Sequence, residues 1–265
     1  MADEEIGLGD IFTEPPRPPS PEPTVAVYHR SRQTRSEDGW DRLLIRLVGS
    51  HPLWGHHLWN AGIAFATYLD QNAATFCQDK RVLELGAGGA LPGLVAALNG
   101  AKKVVLTDYP DRALIDNIEQ NVRTNIPPNQ QDRVNVQGYT WGKAVDSLIA
   151  AVSDTHPSAQ DNAFDLIILS DLVFNHSQHD ALLNTCEATL AKGSSPYGTP
   201  CLLVFYTHHR PHLAEKDLDF FRKAEARGWR CEEFLTERMK AMFPEDPGDA
   251  EVRSTVHGWR VWRRA

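Results

Sequence analysis

Residues that could bind a ligand or take part in a reaction are concentrated in one stretch, which spans 80–108 and reads KRVLELGAGGALPGLVAALNGAKKVVLTD. Glu84 lies in an apolar segment, a glycine-rich turn occupies 86–89, and Asp108 comes 20 residues after Gly88. Glycine lets the backbone turn tightly and lets a ligand approach it closely. A carboxylate at the tip of the following strand can accept two hydrogen bonds from a ribose diol. The stretch therefore predicts a site for a cofactor that contains a nucleoside.

The spacing within this stretch distinguishes between two classes of cofactor. A dinucleotide fingerprint, G-x-G-x-x-G/A, requires Gly or Ala where this chain has Leu91. An acid before the first glycine, here Glu84, suits a cofactor with an ammonium group rather than a pyrophosphate. S-adenosylmethionine has an ammonium group, a ribose diol and no phosphate, so the pattern favours it over a dinucleotide. A glycine turn without a ligand is disfavoured, because Glu84, the glycines and Asp108 all have the required spacing.

The composition predicts one α/β domain. The chain has 265 residues, of which 42% are hydrophobic, enough for a sizeable core. Its net charge of -8 argues mildly against nucleic acid and mildly for a basic partner or a small molecule. Its four cysteines form no C-x-x-C pair, which favours reduced thiols. No apolar run reaches membrane length and the acidic N-terminus does not resemble a signal peptide, so we expect a cytoplasmic protein without a membrane partner.

Two regions differ in character. Residues 1–24 include EPPRPPSPEP, and proline at this density predicts a disordered tail. Residues 25–265 are interpreted as a single domain whose first part, 25–79, is an N-terminal helical extension. Within that part, residues 25–29 (VAVYH) predict an edge strand, and apolar residues further on recur at helical spacing and predict a helix over 58–71.

Apolar runs predict that strands and helices alternate along the rest of the chain. The predicted strands are 81–85, 104–107, 134–139, 165–170 and 201–206, followed by an antiparallel pair at 229–236 and 257–263. The predicted helices are 91–99, 110–125, 143–152, 178–190 and 213–227. Such alternation is typical of a parallel sheet with helices on both faces. We therefore expect a Rossmann-like seven-stranded sheet, mostly parallel, with an antiparallel final strand.

Polar residues that follow the predicted strands should meet at one edge of this sheet. Ligands of such sheets bind beyond the carboxyl ends of the strands. The glycine turn, Asp108, Trp141, 170–175 and 207–212 all fall on that edge. The sequence therefore predicts that one cleft at this edge holds the ligands.

At these residues the chain resembles the seven-β-strand (class I) methyltransferases and, within them, the family-sixteen protein methyltransferases. The similarity extends from about residue 25 to the end. The motifs that carry it are LVGSHPLWGHHLWNAG (47–62), LWNAGIAFATYL (58–69), VLELGAGGALPG (82–93), LTDYPD (106–111), TWG (140–142), SDLVF (170–174) and FYTHHRP (205–211). The glycine motif alone indicates only the superfamily, whereas SDLVF together with LVGSHPLWGHHLWNAG and FYTHHRP is much more specific.

The resemblance implies an S-adenosylmethionine-dependent protein N-methyltransferase. The members most similar to this chain act on translation elongation factor one-alpha, at its N-terminal α-amine and a nearby lysine. That protein would be the partner, and we expect a monomer that does not bind nucleic acid. A small-molecule N-methyltransferase of the nicotinamide type would have the same cofactor motifs and stays open as the alternative.

The resemblance also implies roles for individual residues at the cofactor. Trp59 would contact the methionine portion, although its spacing alone favours a core position. Gly86, Ala87 and Gly88 would wrap around the cofactor, and Asp108 would hold the ribose hydroxyls.

Further residues would complete the two halves of the site. Trp141 would pack near the adenine, and Ser170 would touch the cofactor from the fourth strand. Asp171 and Phe174 match the family's acid-x-x-aromatic motif and are the candidate catalytic residues at the acceptor. The aromatic residue is often tyrosine, so a role that needs its hydroxyl does not transfer to Phe174.

Other interpretations of the acceptor side remain open. Asp171 could cap the helix that follows the fourth strand. His208, His209 and His212 could belong to a solvated loop, and a metal site is a poor prediction because Pro211 breaks the helix that would align them. A nucleic-acid adenine methyltransferase would need an Asn/Asp-Pro-Pro-aromatic tip, which the chain lacks. A module that only binds the cofactor is disfavoured, because Glu84, Asp108 and Asp171 are all present in this chain.

Overall fold

The computed structural model describes residues 21–34, 39–152, 163–193 and 198–263. Within these ranges the strands are β1 Thr24–His29, β2 Arg42–Leu47, β3 Arg81–Leu85, β4 Lys103–Asp108, β5 Val134–Gly138, β6 Leu166–Ser170, β7 Cys201–Thr207, β8 Trp229–Arg238 and β9 Thr255–Arg263. The helices are α1 Asn60–Gln71, α2 Ala73–Phe76, α3 Leu91–Leu98, α4 Arg112–Asn125, α5 Asp146–Val152, α6 His179–Thr189, α7 Ala214–Ala226 and α8 Ala250–Ser254. Residues 1–20 of the predicted disordered tail lie outside the described residues.

The main sheet has seven strands in the order β5-β4-β3-β6-β7-β9-β8. The pairings from β5 to β7 are parallel, whereas β9 is antiparallel to both β7 and β8. The central strands β3, β6 and β7 are almost entirely buried, as expected for parallel strands that are covered on both faces. The predicted fold class is confirmed, including the antiparallel final strand.

Two apolar cores cover the two faces of this sheet. Alternate residues of each strand point to opposite faces, so Val82 belongs to one core and Leu83 to the other. Helices α1, α3 and α4 supply the first core, and α5, α6 and α7 supply the second. The sheet is thus fixed from both sides, and its carboxyl edge becomes a rigid platform for a site.

The N-terminal part of the domain contains a β-ribbon as well as helices. Strands β1 and β2 form an antiparallel pair, so the strand predicted at 25–29 is present as β1, whereas the interpretation of 25–79 as a helical extension misses β2. The edge of β2 is covered by Asn121 and Asn125 of α4, whose side chains bond the backbone of Arg46 and Leu44. These amides replace a neighbouring strand and attach the ribbon to the sheet domain.

The helices begin and end close to the predicted positions. The predicted helix over 58–71 begins two residues later, because Trp59 has extended backbone angles at the N-cap of α1. In α4, the Asp111 side chain accepts a hydrogen bond from the Ala113 amide and caps the helix. Across the described residues, no helix combines the length and the apolar character that crossing a membrane requires.

Candidate active site

A cavity of about 460 Å³ opens at the carboxyl edge of the sheet. All ten residues that were predicted for the site line it: Trp59, Glu84, Gly86, Ala87, Gly88, Asp108, Trp141, Ser170, Asp171 and Phe174. Its volume falls within the range of pockets that bind small molecules and cofactors. Strands β3, β4 and β6 therefore bring together residues that are far apart in the sequence.

The glycine turn after β3 is held by the carboxylate of Asp108. The Gly88 amide donates to Asp108 Oδ2 at 2.7 Å, and the Tyr109 amide donates to Oδ1 at 2.7 Å. Gly86 and Gly88 both have positive φ angles, of 62° and 54°, which favour glycine. A methyl group on Gly86 would also come within 2.7 Å of Leu172. The turn thus presents bare backbone to the cavity, as close approach of a ligand requires.

Glu84 is fully buried at the carboxyl end of β3. Its Oε2 accepts a hydrogen bond of 2.9 Å from the Gly93 amide in α3, whereas Oε1 has no partner among the described residues. Burial and, to a lesser extent, the nearby Asp108 charge raise the pKa of Glu84 to about 8, against the opposing effect of the Gly93 amide. The cavity floor therefore contains an acceptor that lacks a donor.

The charges at the cavity suit a cation. Three acidic side chains line it, Glu84, Asp108 and Asp171, and each can balance a cation when it is ionised; among the described lining residues there is neither Lys nor Arg. A pyrophosphate would be favoured by cationic side chains, which these lining residues do not include. A cofactor with ammonium and sulfonium groups and a ribose diol fits the unpaired Glu84 oxygen, the Asp108 carboxylate and the glycine turn.

Trp59 lies at the cavity mouth rather than in the core, so the position favoured by its spacing is wrong. Its ring is partly exposed and packs against His209 at 4.8 Å and against Phe243 at 5.9 Å between ring centroids. The preceding loop places Trp54 and His57 beside it. An aromatic wall therefore borders the cavity on the side of α1.

Trp141 lies beside the glycine turn, and Ser170 lies beside α1. Trp141 comes within 3.1 Å of the position that a methyl group on Gly86 would occupy. Ser170 is the last residue of β6, and its hydroxyl faces Gly62 of α1. Both side chains are only partly buried and reach the cavity.

Asp171 is buried and held in place from β7. Its Oδ2 lies 2.8 Å from His209 Nε2, and its Oδ1 accepts a 3.4 Å hydrogen bond from the Thr207 amide. Its φ of 56° is unusual for a residue with a side chain and marks a constrained position. The N-cap interpretation is wrong, because α6 starts eight residues later and follows Gln178.

The histidines after β7 are structured rather than solvated. Burial lowers the pKa of His209, but the Asp171 carboxylate outweighs it and the net pKa lies above the ordinary value of 6.5. His208 is buried, and its Nδ1 lies 2.7 Å from Asp217, which also contacts His176 at 2.7 Å. The solvated-loop interpretation is therefore wrong for His208 and His209, whereas His212 is exposed. Within the described ranges, no His, Cys, Asp and Glu side chains group to hold a metal ion.

Several cavity residues were not predicted. Leu53 and Trp54, in the loop before α1, and Tyr109, after β4, line the mouth with exposed apolar side chains. Phe243 packs on Trp59 from the connection between β8 and β9. The position of Tyr109 directly after a strand could have identified it, whereas Phe243 has no local signal.

Comparison with known proteins places the chain in a family. A family model described as lysine methyltransferase matches residues 49–227. The protein N-terminal and lysine N-methyltransferase EFM7 of Cryptococcus neoformans is 47% identical over 97% of this chain and 89% of its own length. The proteins of the same name from Schizosaccharomyces pombe and Candida glabrata are 43% and 46% identical, each covering 98% of both chains.

Solved structures share the fold at low sequence identity. A putative S-adenosylmethionine-dependent methyltransferase from Streptococcus mutans has a TM-score of 0.54 at 11% identity, over 83% of this chain and 53% of its own. TYW2 of Pyrococcus horikoshii, solved in complex with MeSAdo, has a TM-score of 0.52 at 17% identity, over 91% of this chain and 72% of its own. The resemblance and the cofactor prediction are both confirmed. The chain belongs to the lysine methyltransferase family and uses S-adenosylmethionine as its cofactor.

Proposed function

We propose that this chain, an S-adenosylmethionine-dependent protein methyltransferase, methylates the N-terminal α-amine and/or an adjacent lysine of translation elongation factor one-alpha. The observation that carries the proposal is the match, over nearly the whole chain, to relatives named protein N-terminal and lysine N-methyltransferase. The exact acceptor is inferred from the resemblance of residues 170–174 to the acceptor motif of the family. On the same basis we infer a cytoplasmic monomer that does not bind nucleic acid.

The cofactor would occupy the end of the cavity that β3 and β4 form. Asp108 would accept hydrogen bonds from the ribose diol, since each of its oxygens keeps a lone pair beyond the backbone amide that it already binds. The turn at 86–88, with Ala87 at its centre, would follow the methionine portion. Glu84 would offer its unpaired oxygen to the ammonium group.

Aromatic and hydroxyl groups would complete this half of the site. Trp59 would cover the methionine portion from the mouth, and Trp141 would pack on the adenine. Ser170 would contact the cofactor from the end of β6. S-adenosylmethionine supplies an electrophilic methyl group when it is bound.

The acceptor would enter where β6 ends. Asp171 lines the cavity with a carboxylate that can accept a hydrogen bond from an amine and orient its lone pair. Phe174 offers a partly exposed ring that excludes water and can interact with a positive charge through its π face. A chain terminus suits such a cleft, because little native structure is lost on inserting it and its α-amine is closer to neutral than a lysine.

The proposal is tested with recombinant elongation factor one-alpha that lacks its initiator methionine. After incubation with the enzyme and S-adenosylmethionine, mass spectrometry of the N-terminal peptide should show added methyl groups. The matched control is the same protein with an acetylated N-terminus, which has no nucleophilic lone pair and should accept no methyl on that nitrogen.

Nicotinamide, offered to the enzyme in a parallel reaction, provides the counter-test. Comparable methylation of nicotinamide, with an unmodified N-terminal peptide, would support the small-molecule alternative and contradict the proposal.

A further inference from the structure

The group that faces Asp171 from the loop after β7 has no role in the proposal so far. His209 Nε2 lies 2.8 Å from Asp171 Oδ2, and both side chains are largely buried. Trp59 packs on the imidazole ring and brings no charge. A carboxylate that should receive a substrate amine is therefore already paired with a titratable group.

Other charges near this histidine favour its protonated form. Burial lowers its pKa, whereas Asp171 and the more distant Asp217 of α7 raise it, and Arg210 on the same loop lowers it. The Trp59 ring, at the N-cap of α1, contacts the imidazole and carries no charge that would oppose the proton. At pH values below this raised pKa, the imidazolium and the carboxylate form an ion pair at the acceptor end of the cavity.

We propose that His209 is a positioning residue that keeps the substrate amine neutral by balancing the charge of Asp171. A bare carboxylate would stabilise an ammonium ion, which has no lone pair and cannot attack a methyl group. A paired carboxylate can still accept one N–H of a neutral amine, but it has little net charge with which to hold a proton. This inference rests on the proposed function of the site.

Methyl transfer requires that the attacking nitrogen of the substrate is neutral. The nitrogen lone pair forms the new N–C bond, the S–C bond breaks, and its electron pair stays on the sulfur as a neutral thioether. The product is an ammonium ion, which releases its extra proton to water. His209 affects only the protonation of the substrate amine before the attack, and no later step.

The size of the effect follows from Coulomb's law. A unit charge about 7 Å from the amine, at an effective dielectric constant of about 20, shifts the pKa of that amine by roughly one to two units. Because the neutral fraction falls tenfold for each unit below the pKa, loss of the His209 charge should lower kcat about ten- to a hundredfold at low pH.

The test compares pH profiles of kcat for the wild type and His209→Gln, with recombinant elongation factor one-alpha as the acceptor. Gln can still donate a hydrogen bond to Asp171 but carries no charge. We expect the variant to be slowest relative to the wild type at the low end of the pH range, where the wild-type imidazole is protonated. The two rates should converge as the pH rises above the His209 pKa, because the wild-type imidazole is then neutral as well.

Two further variants separate charge from structure. His209→Lys restores a cation and should recover most of the wild-type rate at low pH, whereas His212→Gln makes the same change at an exposed position of the loop and should leave the profile unchanged. An NMR titration of the His209 ring should give a pKa above 6.5 that falls in Asp171→Asn.

The outcomes are distinguishable. Suppose that the wild type is active and that kcat of His209→Gln is lower by the same factor at every pH, or is not lower at all. Either result would overturn the role of His209 and leave the proposed function intact. A wild type that methylates no protein amine would overturn both. A His209 pKa that does not respond to Asp171→Asn would contradict the ion pair itself.

Discussion

Glu84 should make the stability of the cofactor-free protein depend on pH. The side chain is fully buried, only one of its oxygens has a hydrogen-bond donor, and its pKa is raised from 4.5 to about 8. Between these values the folded protein keeps a proton that the unfolded chain has released. Stability from this group is therefore complete below the unfolded pKa and is lost as the pH rises towards the folded pKa.

The variant Glu84→Gln should remove this dependence. Gln keeps an acceptor for the Gly93 amide and stays neutral at every pH. Since each pKa unit corresponds to about 1.4 kcal/mol, the stability of the variant relative to the wild type should increase by about 3 kcal/mol between about pH 5.5 and about pH 8. The free energy of unfolding in urea, measured at both pH values without cofactor, gives this difference directly.

The control is Glu237→Gln, an exposed position on β8. A surface change of this kind should alter stability by no more than about 0.5 kcal/mol at either pH. If Glu84→Gln and the wild type differ by the same amount at both pH values, Glu84 is not protonated in the folded protein and the reasoning from burial is refuted.

Two further predictions concern the same wall of the cavity. Asp108→Asn should weaken S-adenosylhomocysteine binding at least tenfold in calorimetric titration, because hydrogen bonds to a charged group contribute about 1.5–3 kcal/mol; wild-type affinity would contradict the ribose assignment. Gly93→Ala would place a methyl group 2.3 Å from Leu106 and 2.4 Å from Glu84, and should lower the free energy of unfolding by about 1–3 kcal/mol. An unchanged melting temperature would show that the helix can move away from the strand.

The main sheet could be predicted because its signals are local. Apolar runs in β6 and β7 and the glycine turn after β3 determine strand, turn and helix without help from distant residues. The cavity followed from a general property of parallel sheets, that their carboxyl ends meet at one edge. This is why the predicted site residues at the ends of β3 to β6 line one cavity, which Trp59 reaches from the N-cap of α1.

The parts that were missed depend on contacts between distant segments. Strand β2 alternates buried and exposed residues, but it is short, and its edge is satisfied by asparagines of α4 far along the chain. Trp59 has helical spacing but an extended backbone, so periodicity placed it in the core. The pairing of Asp171 with His209 joins the ends of two strands, and no sequence spacing encodes that distance.

The most direct test of the account separates the two ends of the cavity with one variant. Asp171→Asn keeps the size of the side chain and removes the charge at the acceptor end. We predict that the rate of methyl transfer to elongation factor one-alpha falls at least a hundredfold, while the Kd for S-adenosylhomocysteine stays within about twofold of the wild-type value. Full transfer activity in this variant, or loss of cofactor binding together with activity, would contradict the claim that Asp171 serves the acceptor.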